Sequence, residues 1–375
     1  MSPIEALVVL HPVSARAAAG RPVSECLHPL PAEAPALRVE DRGVSRGDGV
    51  FESLTAYDAD PVDLPAHLQR LARSADRLEL PEISGAVVEA GVRRALETAG
   101  AGETTVRIVV TRGPEGASEP TAWVTAAPAA DLSDQRRDGV RVVLLDRGMR
   151  SDAGREAPWL LTGVKTLSYA IHAAAAREAR RRGADDAVFV STDGFVLEAT
   201  TASVLVRRGR RMITPPQEHG ILQGTTVTRA AAVLSELGMP LESRALPAAE
   251  LSDCDALWLL SSGRRAVPVI DRHGTVTEWF GMASDVTFRH EADARLRESE
   301  ARFRAMADDA PVMTWITDES GACIYLNRRW YEFTGQAEAE AIAACLSAPP
   351  VTDDPASCVG VIAESCLTRA DGTVD

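Results

Sequence analysis

Apolar residues fall on one face at helical spacing in LPAHLQRLARSADRLEL. Leu64, Leu68, Leu71, Ala75 and Leu78 recur at intervals of three and four with Pro65 in the first turn, which predicts an amphipathic helix. Just upstream, VSRGDGVFESLTAYDADPVDL reads as a glycine-containing turn, a strand, a DADP turn and a second strand, hence a hairpin. A second helix over residues 85 to 99 and two strands in TTVRIVVTRG and PTAWVTAAPA complete a small α/β domain over residues 1–128, with PAADLSDQRRDG as its linker.

Beyond the linker, GVRVVLLD predicts a strand and TLSYAIHAAAAREARRRG an alanine-rich helix stopped at Gly183. DAVFVSTDGFVLEATTASVLVRRGRRMITPP predicts three strands meeting at two turns, TDG and RRGRR. These elements form a larger domain over residues 129–275, so the fold class is α/β (α+β) with two domains. Past 275 the pattern changes to a strand ending and a charged helical stretch over 276–305, then Ala-, Pro- and Asp-rich sequence over 306–375.

At 375 residues the chain is long enough for two domains with a substantial apolar core. A formal net charge of -14 disfavours nucleic acid and anionic membrane surfaces as partners. The six cysteines form no CxxC pair and no Cys/His cluster at zinc spacing, so neither a metal site nor a disulfide scaffold is expected. No basic leader precedes the short N-terminal apolar run and no apolar stretch approaches the ~20 residues of a membrane span. The expectation is a soluble, cytoplasmic protein.

Of 40 Lys and Arg residues only one is lysine, Lys165 in GVKTLSYA. Both residue types carry charge near pH 7, but only the lysine amine loses its proton at modest cost and serves as nucleophile or base. Lys165 follows the apolar PWLLTGV at the mouth of the predicted alanine-rich helix, and burial beside Trp159, Leu160 and Leu161 would lower its pKa. An imine-forming lysine points to a carbonyl substrate or to pyridoxal phosphate, and that cofactor also needs a phosphate cradle, a carboxylate for its pyridine nitrogen and an apolar wall. Glu198, within FVLEATTASVLV, is a carboxylate among residues that prefer burial, so a cationic partner is expected for it. Gly224, Thr225 and Thr226 precede an apolar helical run, the amide- and hydroxyl-rich helix start that suits phosphate.

In order, RGDGVFE, HLQRL, KTLSYA, VSTDGFVLEATTAS, GILQGTT and LWLLSSGRRAVPV resemble the class IV aminotransferase family, the fold-type IV pyridoxal-phosphate enzymes, over residues 35 to 275. The resemblance implies that Lys165 carries the cofactor, that Glu198 pairs with its pyridine nitrogen and that Arg70 holds its phosphate with Gly224, Thr225, Thr226, Ser261 and Ser262. Ser203 stands where the family commonly has Asn. Within the family the motifs are most similar to those of actinobacterial 4-amino-4-deoxychorismate lyases, which release 4-aminobenzoate and pyruvate in folate biosynthesis. PEGASEP follows TRG in place of the Arg-x-His carboxylate trap of the D-amino-acid transaminases, whereas Glu52 is transaminase-like, so D-amino-acid transamination is the alternative. Arg112 and Arg46 are the candidate ligands for substrate carboxylates. The family's members are dimers, which implies a homodimer here.

From about residue 276 the chain resembles the end of one PAS domain, its connecting helix and the incomplete start of another. A PAS core needs its whole sheet, so the tail is expected to be a partly disordered fusion remnant without its own ligand. The rival from another class is a sensory protein whose enzyme domain is vestigial.

Overall fold

The computed structural model describes residues 3–270, 315–317 and 323–334. The chain forms two compact units, Met1–Met282 and Ala283–Asp375.

The first unit begins with a six-stranded sheet built from β1 (Ala6–Leu10), β2 (Leu27–Leu30), β3 (Gly49–Tyr57), β4 (Asp60–Pro61), β5 (Glu103–Thr111) and β6 (Thr121–Pro128), in the order β2-β1-β6-β5-β3-β4. Two single-turn helices, α1 (Ala15–Ala18) and α2 (Arg42–Arg46), lie in its connections. The longer α3 (Leu64–Arg77) and α4 (Gly85–Thr98) pack on one face. Side chains alternate across a strand, so Val50, Leu54 and Ala56 of β3 and Val106, Ile108 and Val110 of β5 join Leu71, Val88 and Val92 of the helices in one apolar cluster. Phe51, Ser53 and Arg107, the odd-numbered residues, are left for the opposite face. Gly91 lets α4 approach closely, because a Cβ there would lie 2.6 Å from Leu10 Cδ2.

The predicted hairpin forms only as a stub. β3 pairs with β4 through Ala56↔Pro61 and Tyr57↔Asp60, and its main partner is β5, along nine residues from Gly49↔Thr111 to Tyr57↔Glu103. Pro61 offers no N–H to extend the ladder, and α3 starts three residues later. The N-terminal apolar run is a strand, central in this sheet between β2 and β6.

The second half holds two sheets sharing one apolar layer. β7 (Val142–Asp146), β8 (Asp186–Val190) and β9 (Val196–Ala199) form one sheet, while β10 (Ser203–Arg208), β11 (Arg211–Thr214), β12 (Leu241–Ser243), β13 (Ala256–Ser261) and β14 (Arg265–Pro268) form the other in the order β12-β11-β10-β13-β14. After the short α5 (Ser133–Asp138) and α6 (Ala153–Glu156), α7 (Ala170–Arg181) covers the outer face of the smaller sheet and α8 (Thr225–Glu236) that of the larger. The near-continuous apolar strands follow from burial on both faces. Leu257 and Leu259 of β13 face the shared layer, whereas Trp258 and Leu260 face α8.

Two local expectations are corrected. FVLEATTASVLV is two strands, since the chain turns at Thr200–Ala202, where the Ala199 N–H donates to the Ala202 carbonyl at 2.8 Å, and β9 and β10 enter different sheets. The alanine-rich helix begins at Ala170, and residues 165 to 167 run extended beside β3.

In the second unit, Trp315–Thr317 pairs antiparallel with Cys323–Leu326 ahead of a helix, Arg328–Thr334. The expectations for 276–305 and for a partly disordered remnant over 306–375 lie largely outside the described residues.

Candidate active site

A cavity of about 720 Å³ opens between the odd-numbered face of β3 and β5 and the second-half sheets. Lys165 lies in its wall, held by backbone. The Phe51 N–H donates to the Lys165 carbonyl at 3.0 Å, the Leu167 N–H to the Gly49 carbonyl at 2.8 Å, and the Lys165 N–H to Ser74 Oγ at 3.4 Å. Gly163 sets the turn into this segment at φ +72, with space for a Cβ closed by the Ile221 carbonyl at 2.9 Å. Burial lowers the amine to about 8, with the Arg70 and Arg107 charges acting in the same direction and Glu52 and Glu198 opposing. Of the expected neighbours Trp159 is 75% and Leu160 44% exposed, whereas Leu161 is half-buried, and all three line the cavity.

Glu198, on β9, also faces the cavity. Its Oε2 accepts from the Leu222 N–H at 3.1 Å, and it makes no ion pair among the described residues. Burial raises its carboxyl to about 7, against the pull of that N–H and of the Lys165, Arg147 and Arg70 charges. The cationic partner expected for Glu198 is therefore not a neighbouring side chain, and the carboxyl remains open to a group entering the cavity. Behind it the turn is pinned, because Tyr169 Oη donates to the Thr200 carbonyl at 2.8 Å while the Thr200 hydroxyl and the Arg264 guanidinium bond to buried Asp186.

Arg70, Gly224, Thr225, Thr226, Ser261 and Ser262 line the same cavity. Gly224 caps α8, so Thr225 and Thr226 offer hydroxyls and free N–H groups at a helix start. Ser262 Oγ lies 3.1 Å and Thr225 Oγ1 3.4 Å from His67 Nε2. On the other side of the imidazole, Nδ1 meets Glu52 Oε2 at 2.8 Å. Arg70 grips both Glu52 oxygens, from Nε at 2.7 Å and from the second terminal nitrogen at 2.8 Å, and donates to the Gln223 carbonyl at 2.8 Å. Burial alone would raise the Glu52 carboxyl, but the hydrogen bonds from Arg70 and His67 bring it down to about 2. Glu52 thus orients Arg70 and His67 and is fully buried, behind the cavity lining.

Arg112 and Arg46 are not brought to the cavity. Arg112 donates to Asp48 Oδ2 and to the Leu78 and Glu79 carbonyls at 2.6–2.9 Å, a structural clasp. Arg46 is exposed at the end of α2. Besides Arg70 and the Asp186-bound Arg264, the cavity is lined by Arg107 from β5 and Arg147 from the turn after β7, and neither of these has a carboxylate partner among the described residues. The strand pattern held a signal for Arg107, a cation between the buried Val106 and Ile108 whose side chain must emerge on the opposite face. Arg147 carried none, being one of 39 arginines in a polar turn.

The family model for amino-transferase class IV matches residues 49–271, and that for the PAS fold matches residues 301–370. The chain is 40% identical over 240 residues, 61% of its length and 83% of the relative's, to a bifunctional aminodeoxychorismate lyase / D-amino acid transaminase of Mycobacterium tuberculosis. Among solved structures it is similar to a fold IV transaminase from Curtobacterium pusillum, with 42% identity, TM-score 0.66 and coverage of 70% of this chain and 90% of that one. It is also similar to the PLP-bound form of a hypothetical aminotransferase from M. tuberculosis, with 36% identity, TM-score 0.67 and coverage of 74% and 94%.

Proposed function

The chain belongs to the class IV aminotransferase family, and we propose that it is a pyridoxal-phosphate lyase that converts 4-amino-4-deoxychorismate to 4-aminobenzoate and pyruvate. The observation that carries the cofactor is the placement, across one cavity, of the buried Lys165 amine and a Glu198 carboxyl that has no ionic partner among the described residues. Those are the two groups pyridoxal phosphate requires at its aldehyde and its ring nitrogen. The hydroxyls of Thr225, Thr226 and Ser262, the start of α8 and the remaining Arg70 donors suit its phosphate. Bound there, the cofactor supplies an electron sink for a carbanion at the substrate carbon next to nitrogen.

The protein's own residues do the rest. Lys165 Nζ would hold the cofactor, and its amine, once free, is the base of the cavity. The lowered pKa lets the freed amine take up the proton from the ring carbon that bears nitrogen. The C–O bond to the enolpyruvyl group then breaks, the ring becomes aromatic, and the proton passes to the departing enolpyruvate, so atoms balance without water. Glu198, held by the Leu222 N–H, would face the cofactor's ring nitrogen. Arg107 offers a guanidinium to a substrate carboxylate.

D-amino-acid transamination is a second reading, favoured by the bifunctional name of the 40% identical relative. It needs the same Lys165 and Glu198. A sensory role centred on the tail is the weaker alternative, because the residues suited to the cofactor all lie between 70 and 262. The test is a visible spectrum of the protein with pyridoxal phosphate before and after 4-amino-4-deoxychorismate, with Lys165→Ala as control. A band absent from the variant, together with 4-aminobenzoate release, supports the lyase. A band without release, but with turnover of D-alanine, supports the transaminase, and no band in either protein refutes both.

A further inference from the structure

Four aromatic rings form a continuous ladder along the cavity wall. Phe51 meets Tyr169 edge-on at 5.5 Å between ring centres, Tyr169 stacks on His172 at 4.5 Å, and His172 meets Phe189 edge-on at 5.6 Å. The Arg107 guanidinium lies 4.5 Å from the Phe51 ring centre, and that of Arg147 5.1 Å from the Phe189 ring centre. A cation therefore stands at each end, and neither has an acidic partner among the described residues. Lys165 Nζ, also 4.5 Å from the Phe51 ring centre, marks the Arg107 end as the reacting end.

The other two arginines of the cavity bond carboxylates, Arg70 to Glu52 and Arg264 to Asp186. Leaving two unpaired in one cavity concentrates positive potential on its contents. His172, between the two ends, presents a buried Nδ1 with no hydrogen-bond partner. Burial and the neighbouring Arg147 and Lys165 charges hold its imidazole neutral, down at about 4, so it adds a polar edge without further charge.

We propose that Arg147 is a second carboxylate subsite, reading the ring carboxylate of a flat cyclic dicarboxylate while Arg107 takes the carboxylate nearer the reacting amine. This rests on the lyase reading for the identity of the substrate, and it makes Arg147 the residue that separates a dicarboxylate ring from a simple amino acid. In 4-amino-4-deoxychorismate the ring carboxylate lies across the ring from the amine, whereas the enolpyruvyl carboxylate is attached at the neighbouring carbon. With the amine at Lys165, the first carboxylate points to the far end of the ladder and the second stays near Phe51. A guanidinium lying over a ring keeps its forked edge free for a carboxylate in the plane.

The test is calorimetric binding of three unreactive acids to the full chain loaded with pyridoxal phosphate. 3-(Carboxymethoxy)benzoate carries both carboxylates, 3-methoxybenzoate only the ring one, and phenoxyacetate only the side-arm one. Arg147→Gln is expected to weaken the first two by about tenfold or more and phenoxyacetate by less than about twofold. Arg107→Gln should weaken the first and third instead. Arg147→Lys, which keeps the charge and loses the fork, should fall between wild type and Arg147→Gln, and an unchanged cofactor band certifies folding in each variant. The proposal is overturned if Arg147→Gln binds all three acids as wild type does, if it weakens phenoxyacetate equally, or if the wild-type protein shows no preference for the dicarboxylate. Failure of the lyase reading shows separately, as absence of 4-aminobenzoate from wild-type protein whose acid selectivity still depends on Arg147.

Discussion

Lys165 Nζ lies 4.5 Å from the centre of the Phe51 ring, so the protein's one lysine sits against an aromatic face in a largely dehydrated wall. Two effects on the amine oppose each other. The ring favours the ammonium form by about 1 kcal/mol, whereas the shift from 10.5 to about 8 corresponds to roughly 3 kcal/mol in the other direction. Burial wins. Phe51→Ala admits water and is therefore expected to return the amine toward its ordinary value. The measurement is reductive methylation of the lysine-containing peptide against pH, with an inflection near 8 in the wild type. An unchanged or lower inflection in the variant contradicts burial by the ring.

Glu198 makes the apoprotein sensitive to pH. Its carboxyl ionises near 7 in the folded chain and at an ordinary 4.5 when unfolded. The folded state thus holds the proton more tightly, and stability falls as pH rises from about 4.5 to 7. Glu198→Gln should remove that slope, seen in urea midpoints of cofactor-free protein across this window. The same variant should lose cofactor affinity and turnover, so stability and activity are expected to move in opposite directions at pH 7.

Buried and exposed ion pairs should differ sharply. Glu52→Gln leaves Arg70 buried without its carboxylate and is expected to cost about 3–5 kcal/mol by denaturant titration. Because the Glu52 carboxyl is brought down to about 2, the stability it confers is present above 4.5 and is lost as pH falls toward 2. Arg137→Ala removes a pair with Asp134 and Asp138 that is open to solvent, and no measurable change in midpoint is expected.

Gly163 is required by its backbone. At φ +72 an alanine costs about 1–2 kcal/mol, and its methyl would also press on the Ile221 carbonyl. Gly163→Ala should therefore lower both stability and the amplitude of the cofactor band, since Lys165 follows two residues later. Gly85→Ala, with open space and no positive φ, should leave both unchanged.

Much of this was legible from residues alone. The period of Leu64, Leu71 and Ala75 gave α3, and a solitary lysine, an acid in an apolar run and a Gly-Thr-Thr helix start marked three walls of the cavity. What sequence could not provide was long-range pairing. Nothing local distinguishes GVKTLSYA as a helix start from the extended segment that the Gly49 and Phe51 backbone makes of it. Arg112 was a candidate ligand for a carboxylate, yet the turn that follows β5 places its guanidinium within reach of Asp48 and two carbonyls. Arg147 became visible only once β7 had been placed parallel to β8, beside Phe189.

The hydrogen bonds joining residues 165 to 167 to β3 have a mechanical consequence. Lys165 travels with the first sheet, while Glu198, Thr225 and Ser262 travel with the second half. A molecule bonded to the lysine at one end and to the carboxylate and hydroxyls at the other is therefore a rivet between two plates. It would add to bonds the two plates already share, from Arg70 to the Gln223 carbonyl at 2.8 Å and between His67 Nε2 and Ser262 Oγ at 3.1 Å.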